Sequence, residues 1–269
     1  MNTQLSVAAD PQADTAGAVS AVIASLPVSF GPAAEAPDVV AVSGHAGWTT
    51  RAVDAILNGA KGVVVSSPLA EDAAGLSAAA GAAEAVVVLD RRWAGNVALD
   101  SANDKVHGVI GAALGDAVLL DSVAIAAPGT DPLHLLADQF AVLVQCEIEV
   151  RNVRMVQCNG NGYTVAGVIA GGVPVALQAI LTSALPATAS LTILTSAGRA
   201  DVVLPDPAAA WPAEVHAVTT EGATMLPTLY ESSHRTTWSR AHAHIAARTA
   251  ADDLARFTTV LSLLSQLNR

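Results

Sequence analysis

Ser43-Gly44-His45-Ala46-Gly47-Trp48 separates an apolar run from an amphipathic one. At such a place glycines let the backbone N–H groups of a helix start approach a phosphate or a carboxylate. The same glycines also suit the backbone of any strand-to-helix turn, so both readings stay open. Trp48 and, further on, Trp93 fall at strand-end loops, where an indole can stack on a sugar ring or pack between domains. A second cluster, Ser232 to His244, holds His234, His242, His244, Arg235 and Arg240. A His-x-His pair on a strand can bind a transition metal, but Glu231 is the only carboxylate nearby; the cluster reads as a polar edge or subunit contact, and no metal is expected. Cys146 and Cys158 lack a C-x-x-C partner or a nearby His pair and are expected as free thiols in a reducing cytoplasm. Hydrolase, metalloprotease and kinase readings find no G-x-S-x-G, H-E-x-x-H, Walker loop or paired Glu.

The elements that would position these residues change character midway. Leu5 to Ala9, Val39 to Val42, Gly62 to Val65 and Ala85 to Leu89 are short apolar runs suited to parallel strands covered on both faces. Between them, Thr49 to Gly59 has a Thr cap, an apolar face and an Asn-Gly stop, and Leu69 to Ala82 is likewise helical. Strands and helices alternating through short links predict a doubly wound, Rossmann-like parallel sheet. From about Asp116 the pattern becomes alternating: Val118 to Ala127, Glu147 to Gln157, Tyr163 to Ile169, Val173 to Leu181, Ser190 to Thr195 and Asp201 to Leu204. These predict a large, mainly antiparallel open-faced sheet, with a helix over Pro132 to Val144 and another closing the chain. The fold class is therefore α/β followed by α+β. The expected domains are residues 1–112 and 113–244, with a helix at 245–269 that can pack back on the first.

A chain of 269 residues is long enough for two domains and needs no disulfide staples. Its net charge of −11, with only Lys61 and Lys105 as lysines, excludes nucleic acid and anionic membrane as expected partners. No basic region precedes the apolar run Ala18 to Phe30, so a cytoplasmic chain starting at Met1 is expected. Val165 to Ala187 is apolar enough to suggest a membrane span, yet Gly171-Gly172, Pro174 and Pro186 interrupt it. Alternation at Val173, Val175, Leu177, Ala179 and Leu181 instead predicts a hairpin about a two-residue Gly-Gly turn.

Thr50-Arg-Ala-Val-Asp-Ala-Ile-Leu-Asn-Gly-Ala-Lys-Gly-Val-Val-Val-Ser-Ser-Pro-Leu-Ala70 resembles, without gaps, the helix, strand and E-K-P-L-A turn of the glucose-fructose oxidoreductase, inositol dehydrogenase and MocA family. Arg91-Arg92-Trp93 is similar to the family's aromatic-flanked arginine, Asp131 through Asp138 to its D-x-x-x-H helix, and Tyr163 to Asp206 to its two hairpins. The resemblance implies a two-domain NAD(P)-dependent sugar or polyol oxidoreductase. His134 is then the catalytic candidate, with Ser67 at the family's lysine position. Asp10, Ser66 and Pro68 would face a nucleotide if one binds, and Trp48, Arg92, Trp93 and Asp138 are candidates for holding a ligand.

Three departures bear on that implication. Family members begin with a strand, a G-x-G-x-x-G turn and a helix that hold the cofactor pyrophosphate, whereas this sequence opens at what resembles the second strand. Asp10 then stands where the family places its ribose-binding acid, or is a turn residue before Pro11. The lysine is replaced by Ser67, and a hydroxyl does not replace an ammonium at neutral pH. Thr130, not an aspartate, stands four residues before His134, which leaves Asp131 and Asp138 as the nearest carboxylates; His134 then serves in proton transfer or as a satisfied buried or rim histidine.

Two functional expectations follow. The first is a divergent, non-dehydrogenase homologue that binds no NAD or NADP and instead binds a small sugar-like ligand or acts as partner to a catalytic paralogue. The second is a working oxidoreductase that holds NAD or NADP in a non-standard way, with His134 moving the proton. A homo-oligomer formed through the antiparallel sheet is expected in either case, because the segment from Met155 to Gly198 carries no charge to cover a solvated face.

Overall fold

The computed structural model describes residues 4–33 and 35–267; Met1 and the last two residues of the expected 245–269 helix lie outside them. The first part of the chain builds β1 (Leu5–Ala9), α1 (Pro11–Gly17), α2 (Val19–Ser25), β2 (Phe30–Pro32) and β3 (Val39–Ser43). It continues with α3 (Trp48–Leu57), β4 (Gly62–Ser66), α4 (Ala74–Ala83) and β5 (Val86–Asp90). All five strands are parallel, in the order β2-β1-β3-β4-β5. Every residue of β4 and β5 is buried, which explains their unbroken valine runs. β1 is not a sheet edge: Leu5 pairs with Phe30 on one side, and Val7 with Val39 on the other, so β1 holds the first-strand place of a doubly wound sheet, not the second-strand place expected for it, and α1 follows it.

The second part contains α5 (Asp104–Gly115), β6 (Ala117–Ala126), α6 (Pro132–Gln145), β7 (Arg151–Asn159), β8 (Gly162–Val168) and β9 (Pro174–Leu181). It ends with β10 (Thr188–Thr195), β11 (Arg199–Leu204), β12 (Glu214–Thr219) and β13 (Gly222–Leu226). The eight strands form one sheet, β13-β12-β11-β10-β6-β9-β8-β7, antiparallel except for the β6–β9 pair. Side chains alternate across it. Val175, Leu177 and Ala179 of β9 are buried on the side of α6, whereas Ala176 and Gln178 are partly exposed and Ile180 is exposed. The β8–β9 connection is longer than the expected two-residue turn: Ile169 donates its N–H to Val173, and Gly171 and Gly172 both adopt positive φ in the loop so closed.

Two helices complete the chain, α7 (Ser233–Ala247) and α8 (Asp253–Gln266). The chain divides into residues 1–95 with 233–258, and 96–232 with 259–269. The expected boundary at 112/113 thus falls inside α5, which goes with the second unit because Val106, Ile110 and Ala113 are buried and the helix packs on β10 and β11. The segment that returns is 233–258, earlier than the expected 245–269, of which residues 259–269 go with the second unit; α7 packs on β4 and β5. Phe30 stands edge-on to Trp238 at 5.2 Å and to His242 at 5.5 Å, which ties α7 to β2. The expected helix from Leu69 starts only at Ala74, since the preceding residues are engaged in capping described below. Among the described residues no helix is long and apolar enough to cross a membrane.

The entry to β3 is held by Asp38, whose carboxylate meets the Lys61 ammonium at 2.8 Å and accepts from the Ser6 N–H and hydroxyl at 2.8 Å each. Lys61 first, then the Ser6 backbone, lower its pKa from 3.8 to about 2. A depressed carboxylate stabilises the fold fully above the unfolded value of 3.8, and this is lost as pH falls through about 2. Asp38→Asn is therefore expected to flatten the acid limb of the stability curve between those values, measured by urea midpoints against pH. The effect should be about 1 kcal/mol, because Lys61 is well exposed and the pair is screened. An unchanged acid limb would remove the assignment.

Candidate functional site

In the first unit the polar residues gather at the carboxyl ends of the parallel strands. The register places Ser43 of β3 beside Ser66 of β4, and Ser66 beside Asp90 of β5, all three buried. The chain leaves β1 for β2 on one side and returns to β3 on the other, so the crevice outside β1 and β3 is the switch point where such sheets bind ligands. Asp10 occupies that point. One carboxylate oxygen accepts the Ala13 N–H at 2.5 Å and so caps α1; the other accepts the Ser43 N–H at 2.9 Å and so ties down the end of β3. Asp10 is thus a helix cap and a strand tie, with each oxygen engaged by a backbone donor.

The Ser43–Trp48 turn is filled in the same manner. Glu71 accepts the Gly47 N–H at 2.5 Å and the Thr49 hydroxyl at 3.3 Å, placing a carboxylate from the chain itself on the start of α3. Arg51 donates to the carbonyls of Ser43, His45 and Ala46, and His45 meets the Ser43 hydroxyl at 3.0 Å. A Cβ on Gly44 would lie 2.3 Å from the Ser67 carbonyl oxygen, so glycine here permits the β3 and β4 loops to touch. Gly44 then exchanges backbone bonds with Ser66 and Leu69. Ser67 sits at φ 54, in the left-handed region, and Pro68 is buried. The Ser66 hydroxyl is walled in: a Cβ on Gly17 would stand 2.3 Å from it and 3.0 Å from Asp90 Oδ2.

Both tryptophans advanced as ligand-stacking residues are fully buried. Trp48 donates its indole N–H to the Leu69 carbonyl at 2.9 Å and meets Phe257 edge-on at 5.5 Å. Trp93 lies beneath the Arg92 guanidinium at 5.4 Å. Neither leaves a ring face for a sugar, so the packing role replaces the stacking one. Arg92 itself remains partly exposed.

The histidine cluster of residues 232–244 is not a strand but α7, and the helix distributes its members. His234 Nδ1 contacts Asp90 Oδ2 at 2.7 Å, with the carboxylate almost wholly buried. Arg240 makes a two-pronged pair with Asp253, and His244 meets the Thr249 hydroxyl. Among the described residues no three His, Cys, Asp or Glu side chains converge as a metal set. The Asp90–His234 pair escapes sequence reading because 144 residues separate its members.

In the second unit, Asp131 caps α6 by accepting the N–H groups of Leu133 at 2.7 Å and His134 at 3.0 Å. His134 Nε2 lies 3.7 Å from Asp138 Oδ2, one helical turn on, so Asp138 is the acidic neighbour where none stands four residues earlier. Asp138 is 3% exposed as a side chain and His134 16%. Next to Asp138 a buried relay begins: the Tyr163 hydroxyl donates to Gln139 Oε1 at 2.8 Å, and Gln139 Nε2 donates to the Ser122 hydroxyl at 2.8 Å. Burial first, then the charges of Asp138 and Cys158, push the Tyr163 hydroxyl well above its usual pKa, so it stays a neutral donor. Tyr163 and Gln139 were not foreseen; a tyrosine in a chain with only two was the available signal.

No protein-family model and no curated protein matches the sequence. Solved structures do. UDP-N-acetylglucosamine 3-dehydrogenase GnnA from Acidithiobacillus ferrooxidans is similar with a TM-score of 0.67 at 13% identity, over 98% of this chain and 97% of that one. KijD10, a 3-ketoreductase from Actinomadura kijaniata solved with NADP, gives 0.66 at 14% identity, over 99% and 88%. A variant of KijD10 in complex with TDP-benzene and NADP gives 0.70 at 14% identity, over 99% and 97%. At such identities the likeness shows the fold alone: the parallel five-stranded sheet with a second, mainly antiparallel eight-stranded sheet that the resemblance implied.

Proposed function

We propose that this chain is a non-dehydrogenase protein built on a sugar-oxidoreductase fold, binding a small sugar-like ligand either alone or as partner to a catalytic paralogue. One observation carries the reading: Asp10 and Glu71 put the chain's own carboxylates on the starts of α1 and α3, at the edge where this fold class takes a dinucleotide. A pyrophosphate needs those N–H groups free and no like charge beside them. The residues present therefore do not fit a nicotinamide dinucleotide, and Ser67 supplies no ammonium near where its ring would lie. His134 with Asp138, in the second unit, remains as a polar pair for a hydroxylated ligand.

Calorimetry and thermal shift with NAD(H) and NADP(H) test the proposal. No saturable signal is expected below ~1 mM, a limit equivalent to about 4 kcal/mol of binding energy. Saturable binding under that limit would overturn it in favour of the second reading, an oxidoreductase with an unusual cofactor seat. The NADP bound in the KijD10 structures favours that alternative.

The open face of the eight-stranded sheet is proposed as a self-association surface. Its central strands present Val123, Ile125, Ala176 and Ile180 on the side away from α6, all partly or fully exposed.

A further inference from the structure

Aromatic residues are scarce in this chain: four Trp, two Tyr and three Phe. All are buried except two, Trp211 at 61% and Tyr230 at 78% exposure. Both flank the β12–β13 hairpin at the far edge of the large sheet. The ladder pairs Val215 with Leu226, and Thr228 donates its hydroxyl to the Ala213 carbonyl in the same register. Trp211 and Tyr230 each stand two residues beyond that contact on their own arms.

The strand beside them is an unguarded edge. Among the described residues β13 pairs only with β12, and its sequence Gly-Ala-Thr-Met-Leu has neither charge nor proline, the usual protections of a free edge. Thr219 and Gly222 close the hairpin, so ladder bonds recur at Gly222, Thr224 and Leu226, and the backbone groups of Ala223 and Met225 point outward. Met225 is itself 66% exposed. On the hairpin itself the charges are carboxylates, Glu214 at the start of β12 and Glu221 in its turn; the nearby cations Lys105 and Arg199 line the cavity beside Leu226, where Arg199 is paired with Asp201 at 2.8 Å.

We propose that β13 is a docking edge for an extended, lysine- or arginine-bearing segment of another protein, which adds as a further strand and packs on Trp211 and Tyr230. Backbone pairing supplies register, the two rings supply apolar and cation–π contact, and Glu214 and Glu221 select positive charge. A second copy of this chain fits less well, because its own edge is acidic and like charges oppose the approach. The inference is independent of the proposed function.

Trp211 reports on the test directly, since Trp48, Trp93 and Trp238 are all fully buried. The probe is a short synthetic peptide alternating valine and lysine, with a valine–glutamate peptide as control, added to the intact protein while acrylamide quenching of tryptophan fluorescence is followed. The lysine peptide should shield Trp211 saturably and the glutamate peptide should not. Tyr230→Ala should weaken binding about tenfold. Ala223→Pro, which removes an outward N–H without touching the β12 ladder, should abolish it. Should Ala223→Pro fail to fold by near-ultraviolet circular dichroism, Met225→Lys places a repelling charge on the edge and should abolish binding instead. Absent shielding, equal shielding by both peptides, or binding that survives the folded edge variant overturns the proposal. A doubled mass by light scattering that Ala223→Pro returns to one chain would assign the edge to self-pairing and overturn it too.

Discussion

Leu177→Glu is expected to unfold the second unit, whereas Ala176→Glu, one residue away, should leave it folded. Adjacent residues of a strand point to opposite faces. Leu177 has no exposed surface and lies on the face that α6 covers, so a carboxylate there loses its water without gaining a partner. That penalty is several kcal/mol, comparable with the about 5–15 kcal/mol that holds a whole domain together. Ala176 sits on the open face with Gln178 and the exposed Ile180, where a carboxylate keeps its hydration. Near-ultraviolet circular dichroism and urea titration of both variants give the first answer. Light scattering then reads assembly: if the parent runs as a multiple of its 27.0 kDa chain, the folded Ala176→Glu protein should run as one. A parent of single-chain mass across a dilution series would remove the self-association surface, and an unfolded Ala176→Glu protein would remove the face assignment.

The parts of the fold that were legible share a physical cause. β3, β4 and β5 read as continuous valine runs because they are buried on both faces, and β6, β8, β9 and β10 read as alternation because only one face is. α6 showed itself by an aspartate cap, a proline in the first turn and an apolar face. What escaped were elements whose stability is tertiary. α5 carries Gly108, Gly111 and Gly115, and α7 is rich in Thr and His; α1 opens with the same Asp-Pro signal as α6 but runs only seven residues before Ala18, in the left-handed region, separates it from α2. β12 and β13 went unnoticed because their outer side chains mix Thr, His and Met with little alternation in burial. For the site, sequence marked Asp10 and the Ser43–Trp48 turn but not that Asp10 and Glu71 close them, since a cap that reaches 24 residues along the chain, as Glu71 does to Gly47, leaves no local pattern.

The same blindness concealed the contact whose loss should cost the first unit most. Asp253 stands at the start of α8 with its side chain 6% exposed, and three donors converge on it. Arg240 of α7 reaches its two oxygens at 2.7 and 2.9 Å, and the N–H of Leu89 in β5 donates to Oδ1 at 2.9 Å. The carboxylate thereby joins two helices to the parallel sheet. Asp253→Ala removes both of these bonds from the partly buried Arg240 guanidinium and leaves the Leu89 N–H, inside the core, with no acceptor from this side chain. Breaking a buried pair on one side costs about 3–5 kcal/mol, because the remaining charge keeps its desolvation penalty without its compensation. Asp253→Asn should cost less, since its carbonyl oxygen can still accept from Leu89. Glu149→Ala provides the contrast: it breaks a 2.8 Å pair with Arg151, but those side chains are 73% and 63% exposed and water replaces what is lost. Its cost should stay under about 1 kcal/mol. Urea midpoints of the three variants rank them, and an Asp253→Ala shift no larger than that of Glu149→Ala would show that α7 and α8 are held to the sheet by their apolar contacts alone.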